Sequence, residues 1–236
     1  MNYSVMRARR RGLIMHLALA STVLTMSGAH AGNTSSGQAI AMHGTASGVA
    51  ACISCHGAKG EGNAAAGFPR LAGVSAAYLS AQLTAFADGS RQNPIMQPMA
   101  KLLSAGERDA VAQYFAGLPP PAGIKASENG AVKPSDVGAW IATRGRWDVG
   151  LPACVQCHGP GGVGVGATFP PLAGQPASYI ASQLNSWKSG TRPPGPMALM
   201  PAVASKLSST DITAVAAYYS GTGAPAEATS ANGSKQ

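Results

Sequence analysis

The sequence predicts an all-α protein built from two tandem copies of one small helical domain. Two observations lead to this prediction. The second half of the chain repeats the first at a nearly constant offset, and the apolar side chains of each half recur at the spacing of an amphipathic helix. No segment carries a convincing alternation of apolar and polar residues that would predict a β-strand.

The repeat is clearest around one six-residue segment. Residues 68–73 read FPRLAG, and residues 169–174, at an offset of 101, read FPPLAG. The same offset pairs four further residues of each copy: Tyr78, Gln82, Leu83 and Gly89 with Tyr179, Gln183, Leu184 and Gly190. Because only two copies exist, the pattern indicates a duplicated domain and not a long repeat array.

Each copy predicts the same set of helices. One helix covers residues 78–89 and ends at a glycine, and its counterpart covers 176–190. The last helix of the first copy begins at Ser104, which forms the pattern of a capping box with Glu107, and its counterpart begins at Ser208. A shorter first helix is expected in each copy, around residues 38–43 and 139–143.

The remaining segments divide the chain. The two domains are predicted at residues 32–118 and 136–221. Residues 119–135 begin with three prolines, which favour an extended, semi-rigid linker. The tail at residues 222–236 is rich in small and polar residues and is predicted to be disordered.

Residues 1–31 predict a signal peptide. They combine a basic start, a mostly apolar stretch and an A-x-A cleavage site at residues 29–31. The alternative is a membrane anchor, but the apolar stretch is short for a span, which needs about 20 residues. The sequence therefore predicts an exported protein of the bacterial periplasm.

The basic charge of the chain does not predict binding to nucleic acid. The formal net charge is +8, but four of the arginines lie in the predicted signal peptide. No cluster of lysine and arginine remains after residue 31, so the sequence lacks the basic patch that nucleic-acid binding requires.

All four cysteines of the chain lie in two Cys-Xaa-Xaa-Cys-His motifs, at residues 52–56 and 154–158. In this pattern two thiols can each form a thioether to a vinyl group of one haem, and the adjacent histidine can ligate the iron. The thiols are those of Cys52, Cys55, Cys154 and Cys157, and the histidines are His56 and His158. Two motifs predict two covalently bound haem c groups and a function that moves electrons.

Three other kinds of site fit the cysteines less well than haem attachment does. A redox dithiol needs one such pair beside a βαβ pattern, which this chain lacks. A zinc site could combine the two pairs, but it would not require a histidine directly after each second cysteine. Two structural disulfides would each close a very short loop and would therefore give little entropic stabilisation.

Methionine is the predicted sixth ligand of each iron. His43 is the one histidine left unassigned after residue 31, and it has no counterpart in the second copy, so two bis-histidine haems are excluded. The first copy offers Met96 and Met99, and the second offers Met197 and Met200.

Two alignments of the methionines compete. The offset of 101 pairs Met96 with Met197, whereas the offset of 104 that aligns Ser104 with Ser208 pairs Met96 with Met200. Because a ligand loop should keep its register to the helix that follows, we expect Met96 and Met200 to be the ligands. Met99 and Met197 are the alternatives, and all four methionines could instead fill gaps in the core.

These features resemble the di-haem cytochrome c4 family. The resemblance covers residues 37–221 and rests on the two CxxCHG motifs, the FP-x-LAG segments, the Tyr and Gln-Leu helices, and a methionine eight residues before each capping serine. It implies two class I cytochrome c domains, each around one haem with His/Met ligation. It also implies that the carbonyls of Pro69 and Pro170 accept a hydrogen bond from the axial histidines, which would orient them.

The resemblance implies an electron carrier and not an enzyme. His/Met ligation raises the reduction potential relative to bis-histidine ligation, and it leaves no open position for oxygen or peroxide. The expected donor is a quinol-oxidising complex or a dehydrogenase, and the expected acceptor is a terminal haem–copper oxidase. Peripheral association with the membrane is compatible with these partners. The alternatives are a di-haem electron-transfer subunit of a periplasmic dehydrogenase, similar to a flavocytochrome, and a di-haem peroxidase.

Overall fold

The computed structural model describes residues 28–122 and 132–221. Most of the predicted signal peptide, the centre of the predicted linker and the predicted tail lie outside these residues. The predicted cleavage site after Ala31 falls within the first helix. No helix in the described part of the chain has the length and apolar character needed to cross a membrane.

The first copy folds into five helices. They are α1 (Gly28–His43), α2 (Ile53–His56), α3 (Ala76–Asp88), α4 (Met96–Leu102) and α5 (Ala105–Gly117). Helix α5 packs against α1 and α3, and α4 packs against α3.

The second copy repeats the same order. Its helices are α6 (Val137–Arg144), α7 (Val155–His158), α8 (Ala177–Lys188), α9 (Leu199–Ser205) and α10 (Ser209–Ser220). Three one-turn 3₁₀ segments, at Trp147–Val149, Pro160–Gly162 and Pro196–Ala198, join them. In the described residues β-structure is limited to isolated bridges, which confirms the all-α prediction.

Both final helices begin with a capping box. In α5 the Glu107 amide donates to Ser104 Oγ at 3.3 Å, and the Ser104 amide donates to Glu107 Oε2 at 2.8 Å. In α10 Ser208 and Asp211 exchange the same two bonds, at 3.1 and 2.9 Å. The second box was not predicted because Asp, with its shorter side chain, stands where the usual pattern has Glu or Gln.

The methionine segments differ from the expected ligand loops, since they form the short helices α4 and α9. Pro98 and Pro201 are each the third residue of their helix. Amides in the first turn of a helix have no intrahelical acceptor, so proline is tolerated there. The methionines of interest therefore lie at the start of a helix and are held more firmly than a loop would hold them.

In each copy the first and last helices cross in close contact, and a glycine of the first helix lies at the crossing. A Cβ atom added at Gly37 of α1 would lie 2.0 Å from the carbonyl oxygen of Ala110 in α5. One added at Gly138 of α6 would lie 2.2 Å from the carbonyl oxygen of Ala214 in α10. Because backbone meets backbone at both crossings, no side chain can move aside to make room.

The substitution Gly37→Ala is therefore expected to lower the free energy of unfolding by about 1–3 kcal/mol, as over-packing of a tight contact does. Denaturant unfolding of the haem-loaded protein measures this change. Gly106→Ala is the matched control. Gly106 lies in α5, the helix that Gly37 contacts, but a Cβ atom added there meets no atom within 4 Å. Equal effects of the two substitutions would contradict the close crossing of the helices.

Candidate haem-binding cavity

One continuous cavity of about 1230 Å³ reaches both Cys-Xaa-Xaa-Cys-His motifs. Its wall is mainly apolar and is formed by residues of both copies, including Leu79 and Phe115 of the first and Ile180 and Val215 of the second. Among the described residues that line it there is no aspartate, glutamate or lysine. A large apolar cavity with cysteine and histidine at its wall is the environment that a covalently bound porphyrin requires.

Two one-turn helices, α2 and α7, position the four thiols. Cys52 and Cys154 are the residues just before α2 and α7, and Cys55 and Cys157 are the third residues of these helices. This spacing places the two thiols of each pair on the same side of a turn. None of these four cysteines forms a disulfide, and burial raises the pKa of Cys52 and Cys154 to about 11.

The alternatives to haem attachment find no support in the described residues. They contain no group of three histidine, cysteine or acidic side chains that could hold a metal ion, and they contain no sheet on which a thioredoxin-like motif would sit. His43 is exposed at the end of α1.

The two motif histidines are buried and are oriented by backbone carbonyls. His56 Nδ1 lies 2.9 Å from the Pro69 carbonyl oxygen, and His158 Nδ1 lies 2.7 Å from that of Pro170. Burial lowers the pKa of both rings, and the carbonyl bond opposes this shift. A neutral ring that donates from Nδ1 has a lone pair at Nε2, which is the state needed to ligate iron.

The methionines of the second copy have different environments. Met200 is half-buried and lines the cavity, whereas Met197 is 76% exposed and has a φ angle of 57°. The register of α4 and α9 pairs Ala100 with Ala204, both fully buried. Met96 and the alternative Met99 both line the cavity, and in this register it is Met96 that corresponds to Met200.

A link between the two copies was not expected from the repeat. Gln175 Oε1 accepts from the Arg70 amide, and Gln175 Nε2 donates to the Arg70 carbonyl, both at 3.0 Å. The Arg70 guanidinium donates to the carbonyls of Ala72, in its own copy, and Ala173, in the other. The residue of the second copy that corresponds to Arg70 is a proline, at position 171. The link therefore has no counterpart in the repeat, and the parts of the cavity near the two motifs differ.

Comparisons with known proteins agree with this geometry. The Cytochrome c family matches residues 36–119, and the family of cbb3-type cytochrome c oxidase subunit III matches residues 147–218. A cytochrome c4 of Pseudomonas aeruginosa is 38% identical over 213 residues, which are 88% of this chain and 99% of that protein. This chain belongs to the di-haem cytochrome c family. A thiosulfate dehydrogenase electron acceptor of Stutzerimonas stutzeri is 50% identical to this di-haem cytochrome over 190 residues, 79% of this chain and 86% of that protein.

Two solved structures resemble the di-haem cytochrome. The reduced cytochrome c4 of Pseudomonas stutzeri matches with a TM-score of 0.65 and 32% identity, over 79% of this chain and 96% of that one. A thiosulfate dehydrogenase (TsdBA) of Marichromatium purpuratum matches with a TM-score of 0.72 and 44% identity, over 79% of this chain and 40% of that longer chain. The fold, the two covalently bound haem c groups and the role in electron transfer are thereby confirmed.

Proposed function

We propose that this di-haem cytochrome accepts single electrons from a thiosulfate dehydrogenase in the periplasm and passes them towards a terminal haem–copper oxidase. The main support for electron transfer between the haems is the single cavity that both motifs reach, because it would bring the two haems close enough to exchange electrons directly. The proposed donor is supported by two relatives named as thiosulfate dehydrogenase electron acceptors, 50% and 48% identical. The identities to the cytochromes c4 are lower, at 33–38%.

At the first haem each residue would have a distinct role. Cys52 and Cys55 would hold the first haem by thioether bonds, and His56 and Met96 would ligate its iron. The Pro69 carbonyl would keep the imidazole in one orientation through the bond to Nδ1.

The second site would use the same chemistry. Its thioether residues would be Cys154 and Cys157, and its axial ligands His158 and Met200. The Pro170 carbonyl would orient the imidazole. When bound, the haem supplies reversible one-electron chemistry at iron, and a methionine thioether favours the reduced state.

A closed sixth position favours a carrier over a peroxidase. Met96 and Met200 both line the cavity, so each iron would have a thioether within the protein to fill its sixth position. The haem would then supply one-electron transfer without an open position for a substrate at the iron. Steady peroxide turnover by the purified holoprotein would contradict this assignment.

The donor is tested by mixing the oxidised cytochrome anaerobically with a purified thiosulfate dehydrogenase and excess thiosulfate. We expect both haems to be reduced, with absorption changes that correspond to two electrons per chain. The control is the same mixture without thiosulfate, in which the cytochrome should stay oxidised. If the dehydrogenase reduces a cytochrome c4 but not this protein, the proposed donor is wrong.

A further inference from the structure

Two arginines meet in the interior, at the boundary between the copies. Arg91 and Arg192 each follow the glycine at the end of the long helix by two residues, at the repeat offset of 101. They are only 5% and 6% exposed, and both line the cavity that reaches the two motifs. Each guanidinium lies over an aromatic ring of its own copy, Phe86 at 4.4 Å and Trp187 at 3.9 Å.

The Arg91 side chain crosses to the second copy. Its Nη1 donates to Gln82 Oε1, in its own copy, at 2.8 Å. Its Nη2 donates to Gln183 Oε1 at 2.6 Å and to the Tyr179 hydroxyl at 3.2 Å, both in the other copy. The guanidinium of Arg91 is therefore fixed mainly by the neighbouring domain.

Arg192 makes the reciprocal contacts. Its Nη1 donates to Gln183 Oε1 at 3.1 Å, and its Nη2 donates to the Tyr78 hydroxyl at 2.6 Å and to Gln82 Oε1 at 3.2 Å. Both amide oxygens thus accept from both arginines, which places the two cations side by side.

This pair of cations has no carboxylate partner among the described residues, where the ion pairs are those of Arg146. The charged side chains that line the cavity are Arg70, Arg91 and Arg192, apart from the motif histidines. Burial lowers the pKa of Arg192, because a buried cation without a counter-ion is costly. The bonds above use three of the five N–H donors of each guanidinium, so donors remain for an anion.

We propose that Arg91 and Arg192 form one shared anion site, which binds propionate carboxylates of both haems across the domain boundary. Each haem brings two carboxylates into a cavity whose fixed charges are arginines. Guanidinium groups bind carboxylates through paired, charge-assisted hydrogen bonds. The cytochrome would therefore hold its two haems through a common pair of cations.

A shared site and two separate sites would affect the reduction potentials of the haems differently. A cation near a haem favours the reduced iron, because reduction removes one positive charge from the haem. If each arginine served one haem, its loss would lower one reduction potential. If the pair is shared, the loss of either arginine lowers both potentials.

The variants Arg91→Gln and Arg192→Gln test the shared site by spectroelectrochemical titration of the holoprotein. We expect two haems per chain in each variant and a fall of both midpoint potentials, by about tenfold in the redox equilibrium constant or ~59 mV for a one-electron couple. Arg144→Gln is the control for charge, since Arg144 is exposed and does not line this cavity. A fall of one potential alone would overturn the sharing, and unchanged potentials would overturn the propionate site.

A second measurement covers the case in which the glutamine variants fail to load haem. Arg192→Lys keeps the charge but not the planar fork of donors. The propionate bending bands in the resonance Raman spectrum should shift between this variant and the wild type. Unchanged bands would overturn the proposal, and neither result depends on which dehydrogenase reduces the protein.

Discussion

The substitution Met200→Ala is expected to make one of the two haems high-spin, to lower its midpoint potential and to remove about half of the far-red Met–Fe(III) absorption. Met200 is half-buried on the cavity wall and has the same register to the final helix as Met96. Without its sulfur the iron would lose its proposed ligand, and a thioether ligand stabilises the reduced state. Absorption spectra of the oxidised variant and a redox titration measure both effects.

Met197→Ala is the matched control, because it removes the same side chain three residues away. Met197 is 76% exposed, so its loss should leave both haems low-spin. Met96→Ala should reproduce the Met200→Ala spectrum at the other haem. If Met197→Ala makes a haem high-spin instead, Met197 is the ligand. The alignment of α4 with α9, which pairs Met96 with Met200, would then be the wrong guide.

The double substitution Cys52→Ser/Cys55→Ser is expected to unfold the N-terminal domain while the C-terminal domain keeps its haem. The cavity measures about 1230 Å³ and its wall is mainly apolar. Without haem, the apolar side chains on the N-terminal part of this wall would face water, and the domain would lose much of the apolar burial that stabilises it. Because a typical domain is stable by only about 5–15 kcal/mol, a loss of this kind is enough to unfold it. The haem is therefore a necessary part of the core.

Haem per chain, measured as the pyridine haemochrome, should fall from two to one in this variant. The helical signal in far-ultraviolet circular dichroism should fall as well. The single substitution Cys52→Ser is the control, since one thioether remains and the domain should keep both its haem and its helices. A double variant that keeps full helical content would show that the domain folds without haem.

Features set by local sequence were predictable. Ser104 with Glu107 predicted the start of α5, because a capping box involves only neighbouring residues. The partners of the histidines, Pro69 and Pro170, followed from the family resemblance and have the corresponding hydrogen bonds in the structure.

Features set by tertiary contact were not predicted. Arg91 and Arg192 recur at the repeat offset, but only the packing of the two copies brings them together on shared glutamines. Arg70 and Gln175 belong to different copies and have no repeat counterparts, so an alignment of the copies could not pair them. The glycine at position 37 is needed because of the backbone of α5, which no local pattern encodes.

The proposed relay requires two haems that each carry one electron and have no open sixth position. An anaerobic redox titration of the wild-type holoprotein, followed by absorption from the visible to the far red, tests this most directly. We predict two one-electron steps per chain, with the far-red Met–Fe(III) absorption lost in two matching steps as the irons are reduced. A single electron per chain, or a high-spin haem without that absorption in the oxidised protein, would contradict the proposed relay.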